Sequence, residues 1–117
     1  MDKYINAVIL DPEVKFARFS YLSSCSMHCS EMNLFFKYGE RFVLKCEDRC
    51  HTKHEEFMRC FNPIHKRLVT EIGECMKVHD EESQKEKLKE CILAAQVKSL
   101  GELRKYIRKH IDPKKFA

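Results

Sequence analysis

Cysteine is the residue type in this chain whose spacing most directly implies chemistry. Seven are present, and four form two Cys-x3-Cys pairs, Cys25 with Cys29 and Cys46 with Cys50. An i, i+4 step puts both members of a pair on one helix face, so each pair presents a two-thiol edge. The string Lys37-Tyr38-Gly39-Glu40 between the pairs is a turn signal. About a turn centred between Lys37 and Tyr38, Cys25 and Cys50 are equidistant, and so are Cys29 and Cys46. In an antiparallel hairpin those residues face each other, and helices packed about 8–10 Å apart bring short facing side chains within disulfide reach. Cys75 and Cys91 are equidistant from Ser83 in the same way, which predicts a third bridge more weakly. Cys60 has no symmetric partner and is expected to be free or to pair outside the chain.

Four cysteines in two pairs also raise zinc ligation. Zinc knuckles generally gather their sulfurs through Cys-x2-Cys turns, whereas Cys-x3-Cys on two helices spreads them over two rungs of a ladder. The spacing favours disulfides, and no metal site is assigned. Buried free thiols are a third reading, common for one cysteine and poorly suited to a symmetric set of four. His51 and His54 stand three apart beside the second pair, where two histidines read as exposed polar positions rather than ligands. No phosphate loop, nucleophile elbow, dinucleotide fingerprint or Cys-x2-Cys redox motif occurs in the sequence, and nothing in these spacings activates a thiol. The chain is expected to be no enzyme and to need no cofactor.

The elements that position the cysteines read as helices. Asp11-Pro12-Glu13 is an N-cap followed by proline at the first helical position and an acid in the first turn. From there Val14, Arg18, Tyr21, Cys25, Cys29, Met32 and Phe36 recur at helical steps up to the turn signal. A second stripe of Phe42, Cys46, Cys50, His54, Phe57 and Phe61 is expected to end before Pro63, which breaks a helix interior. Asn62-Pro63 then restarts a third helix through Ile64, Leu68, Ile72, Cys75 and His79 to an acidic turn at Asp80-Glu81-Glu82. Ser83-Gln84-Lys85-Glu86 is a capping box that opens a fourth helix through Leu88, Cys91, Ile92, Ala95 and Ser99. That helix either stops at Gly101 or runs on through Leu103, Tyr106, Ile107 and Ile111 to Asp112-Pro113. The expected fold is all-α, a disulfide-stapled antiparallel helical hairpin over residues 12–62 followed by a second helical hairpin with a basic tail over residues 63–117.

Size and composition agree with one helical unit. The 117 residues carry 44% hydrophobic and 34% charged side chains, while three Gly, three Pro and no Trp supply too few turns for an all-β sandwich. The net charge of +4 is local. From Lys98 to Ala117 seven Lys or Arg stand against Glu102 and Asp112, so this tail carries +5 and residues 1–97 carry −1. That balance is too mild to imply nucleic acid. The apolar positions Leu103, Tyr106, Ile107 and Ile111 make the tail amphipathic enough to meet an anionic membrane surface, with a solvated helix face as the plainer alternative. Charges interrupt every apolar run below the length of about 20 residues that spans a bilayer. The first residues have neither the plan of a secretory signal nor that of a mitochondrial presequence, so an oxidising compartment is expected to be reached without a cleaved N-terminal address.

The spacing Cys25-x3-Cys29-x16-Cys46-x3-Cys50, with the string Cys46-Glu47-Asp48-Arg49-Cys50-His51-Thr52-Lys53-His54, resembles the small Tim proteins of the mitochondrial intermembrane space. The resemblance covers about residues 12–62, and the chain after Pro63 has no counterpart in the usual member. It implies oxidative trapping in the intermembrane space, two intramolecular disulfides, and a hexameric ring of related hairpins, usually a hetero-oligomer, that shields hydrophobic membrane-protein precursors. Phe16, Phe19, Phe35, Phe36, Phe42, Phe57 and Phe61 are the aromatic residues available for such a client surface, each also readable as hairpin or interface core. The second hairpin and the basic tail suit a fixed partner instead. The alternative is a non-catalytic structural accessory subunit of an inner-membrane respiratory or translocase complex.

Overall fold

A computed structural model describes residues 2–31, 39–79 and 83–111. Among them every regular element is helical, and the arrangement is a pair of stapled antiparallel helical contacts built around one long helix. The helices are α1 (Asp2–Ile9), α2 (Pro12–Lys15), α3 (Tyr21–Cys29), α4 (Glu40–Val78) and α5 (Lys85–His110), with a π-helical turn, Phe16–Ser20, joining α2 to α3. The molecule is a rod of 66 × 20 × 19 Å. A helix of 39 residues at 1.5 Å per residue is about 58 Å long, so α4 alone sets that length.

The expected break at Pro63 does not occur. Residues 40–61 and 63–79 do not form separate helices, because α4 passes through Pro63 without interruption. The ring removes one backbone donor and crowds the carbonyl of Arg59, a local cost. On either side Phe57 and Phe61, then Leu68 and Ile72, are buried on one continuous stripe. Helix packing along the stripe outweighs the single lost hydrogen bond. Pro63 itself is exposed. Pro63→Ala is therefore expected to raise stability by about 2 kcal/mol, read as a higher denaturation midpoint at unchanged slope.

Three further differences concern helix ends. The first residues form α1, whose Ile5 and Val8 are buried although no helix was assigned there. The capping box does not place the cap of α5 at Ser83. Gln84 holds that position and the helix begins at Lys85. Gly101 does not end α5, which runs on to His110. Leu103, Ile107 and Ile111 are almost wholly buried, and this apolar face carries the helix past the glycine. A Cβ at Gly101 would meet nothing within 4 Å, so Gly101→Ala is expected to stabilise by about 1 kcal/mol in the same denaturation assay. The acidic cluster 80–82, along with Met32, Phe35 and Phe36, lies outside the described residues. Gly39 opens α4 with φ +85°, a backbone conformation suited to glycine.

The core is thickest in the middle of the rod. There the π turn packs on α4, α2 packs on α5, and α4 and α5 pack on each other. Val14, Ala17, Phe57, Leu103 and Ile107 are buried together in the resulting core. Asp11 ties the two chain ends at this point. Its Oδ2 accepts from the Glu13 backbone N–H at 3.2 Å, capping α2, and its Oδ1 accepts from Arg104 Nη2 on α5. Arg108 forks onto both carboxylate oxygens of Glu13, at 2.8 and 3.2 Å. Much of the basic character of the tail is thus spent inside the chain. Asp11→Ala removes the cap, and a loss of about 1 kcal/mol is expected in chemical denaturation, against a few tenths for Asp2→Ala on exposed α1.

Candidate functional site

The Cys-x3-Cys steps put the paired cysteines on the inner edges of α3 and α4. Cys25 is bonded to Cys50 and Cys29 to Cys46, with Cα atoms 5.8 and 5.7 Å apart. Cys25, Cys29 and Cys50 are buried, whereas Cys46 is half-buried. The hairpin holds only two helices here, and the bridges are stacked on successive rungs where a third helix is missing from the cross-section. Closing a loop of about this size contributes roughly 3 kcal/mol by restricting the unfolded chain, which offsets the apolar burial a two-helix end lacks. Ser26 and Ser30 both donate to Glu47 Oε1, at 3.4 and 3.3 Å, and span the same two helices on the solvent side.

Toward the other end of the rod Cys75 is bonded to Cys91, with a Cα separation of 5.8 Å, where α4 pairs with α5 and α1 also packs on α5. Cys60 is free and half-buried near the three-helix centre. Burial and the carboxylate of Glu102 push its thiol above the ordinary cysteine range, so the thiolate that would react is disfavoured. The Sγ atoms of Cys25, Cys29 and Cys50 lie within 4.8 Å of one another. All three are in disulfides, which lack the thiolate charge a zinc site uses. His51 is exposed, and His54 Nε2–H donates to the Arg18 carbonyl at 3.3 Å.

The aromatic candidates divide. Phe57 and Phe61 are core, Phe16 and Phe42 are half-buried, and Phe19 is 60% exposed. The Arg18 guanidinium lies over the rings of both Phe19 and Phe61, with centroids 4.5 and 4.6 Å from Cζ. Arg18 Nη1 also donates to the Ile9 carbonyl at 3.0 Å. The periodic stripe from Val14 to Cys25 includes this arginine, and the widened turn at Phe16–Ser20, which the sequence did not announce, holds it. Also missed were Met27, 71% exposed, and Leu44, 53% exposed. Each stands two residues from a bridged cysteine, a step of about 200° that turns it outward. That offset was available as a signal.

The apolar positions named for the basic tail pack within the chain. Leu103, Ile107 and Ile111 are buried, and Tyr106 is half-buried with its ring 6.1 Å from that of Phe57. No helix among the described residues is long and apolar enough to cross a membrane. Chemically, the arrangement offers oxidised sulfur as covalent bracing and isolated outward apolar side chains as contact points. No family model, curated protein or solved structure matches the chain, so its own residues carry the functional reading.

Proposed function

We propose that this chain is a small Tim-like protein of the mitochondrial intermembrane space that works by helix packing rather than catalysis, as a structural accessory subunit joined to related hairpins in an inner-membrane assembly. The observation that carries the reading is the doubly bridged hairpin end. Covalent bracing holds a two-helix unit rigid while Met27 and Leu44 face outward beside the bridges. A braced hairpin loses little conformational freedom on docking, which favours stable association. Burial of Phe57 and Phe61 in the chain's own core removes two of the aromatics that a client-shielding surface would use. The folding back of α1 and α5 onto the rod fits a fixed part better than an open carrier.

The second reading is a soluble hexameric ring that shields membrane-protein precursors. Exposed Phe19 and Met27 favour it, because methionine and aromatic side chains adapt to varied apolar partners. The two readings separate on salt-washed mitochondrial membranes followed by native electrophoresis. A structural subunit sediments with one complex in fixed stoichiometry, and Met27→Asp with Leu44→Asp releases it without loss of the disulfides. A carrier stays in the soluble fraction and crosslinks to precursors in transit. Recovery outside mitochondria would contradict both.

A further inference from the structure

A cavity of about 290 Å³ opens between α1 and the first half of α5, and Cys91, on the same stretch of α5, does not line it. Tyr4 forms one wall. Lys85, Leu88, Lys89, Ile92, Leu93 and Gln96 line the other, and their spacing is that of one strip along a helix face. The strip has a polarity. Lys85 and Lys89 stand at its N-terminal end, where the positive end of the α5 dipole also lies. Leu88 lies between the two lysines, Ile92 and Leu93 follow them, and Gln96 closes the far end by donating to the Tyr4 carbonyl at 2.9 Å. Lys3, outside the lining, holds its Nζ 5.0 Å from the centre of the Tyr4 ring. Glu86 and Glu90 are not in the lining: on the helix Glu86 borders the Leu93 edge of the strip and Glu90 lies farther round.

A concave apolar lining with convergent charge at one end is the plan of a small-ligand site. The geometry points to a binding site for a fatty carboxylate, the carboxylate held between Lys85 and Lys89 and the alkyl chain laid over Leu88, Ile92 and Leu93 against Tyr4. Charge complementarity selects this occupant. A neutral alkyl chain gains the apolar contact without the head-group contact, and a free anion gains the reverse. Leu93 is 58% exposed in the chain alone, so its side chain is open to contact by an alkyl chain. Each further methylene that reaches the lining is expected to tighten binding roughly fourfold. This inference does not depend on the structural-subunit reading.

The test uses the full oxidised chain and sodium decanoate below its micelle concentration, followed by methyl and amide NMR shifts. Saturable one-to-one binding is expected, with the largest shifts at Leu88, Ile92, Leu93 and Tyr4. Decanol is expected to bind at least tenfold more weakly, and inorganic phosphate to leave those methyls unshifted. Lys85→Glu with Lys89→Glu is expected to weaken decanoate at least tenfold and leave decanol unchanged. The surface variant Leu93→Asp, which preserves the buried core, is expected to abolish both. Equal affinity for decanol and decanoate, or decanoate binding unmoved by the charge reversal, would overturn the assignment. So would self-association of the chain that Leu93→Asp abolishes and decanoate leaves unchanged.

Discussion

Serine at Cys25, Cys29, Cys46 and Cys50 together is expected to cost about 3–5 kcal/mol and to unfold the hairpin end ahead of the rest. The estimate follows from loop closure. One bridge across the outer loop is worth about 3 kcal/mol, and the nested bridge adds less because it restricts a loop already restricted. The loss falls where the protein can least absorb it, since α3 meets only α4 there and its inward face is largely the cysteines themselves. Hydrogen exchange should therefore lose protection across Tyr21–Cys29 and the start of α4 before the centre of the rod opens. Urea denaturation of the same variant should show two transitions in place of one. Replacing only Cys75 and Cys91 is expected to leave the first hairpin protected.

Phe57→Ala is expected to destabilise by about 3–5 kcal/mol, the range for a wholly buried phenylalanine in a packed core. Phe57 has no exposed surface, and its ring lies 5.9 Å from Phe61 and 6.1 Å from Tyr106. It sits on α4 where the segment beginning at Asp11 and the end of α5 converge, so its loss opens a cavity between elements from both chain ends. Denaturation followed by circular dichroism gives the magnitude. The near-ultraviolet signal of Tyr106 reports whether the packing at that point is lost. Phe19→Ala is the control. Its side chain is mostly exposed, and a change within about 0.5 kcal/mol is expected.

Both predictions rest on features unequally legible in the sequence. The pairing of cysteines followed from helical periodicity and the position of a turn, because a four-residue step and an antiparallel register together leave one arrangement of facing residues. The helix start at Pro12 was legible because Asp11 makes a local hydrogen bond that depends only on its neighbours. Pro63 misled for the opposite reason. Its local preference is to end a helix, and only the buried stripe from Phe57 to Ile72, held by helices distant in sequence, overrides it. Gly101 is a milder case of the same competition. The fate of the basic tail was illegible because an amphipathic helix fits a membrane surface and an internal groove equally well. Leu103 and Ile107 go inward because α2 and α4 leave a groove for them, and Arg104 and Arg108 find Asp11 and Glu13 more than ninety residues earlier in the chain. Arg18 and its two phenylalanines depend on the π turn, which has no periodic signature.

The disulfides stand toward the ends of the rod and the free thiol at its centre. Where three helices meet, apolar burial suffices and Cys60 remains a free thiol. At the first hairpin only α3 and α4 meet among the described residues, and two disulfides supply the restraint that a third helix would otherwise give, while Cys75–Cys91 ties α4 to α5. The measurement that tests this account most directly is the intact mass of the protein after thiol alkylation, with and without prior reduction. One alkylated thiol in the unreduced, denatured protein and seven after reduction is the predicted result, with peptide mapping assigning the single label to Cys60. Seven labels before reduction, or labels that appear only after chelation of metal, would contradict it and leave the hairpin ends without their bracing.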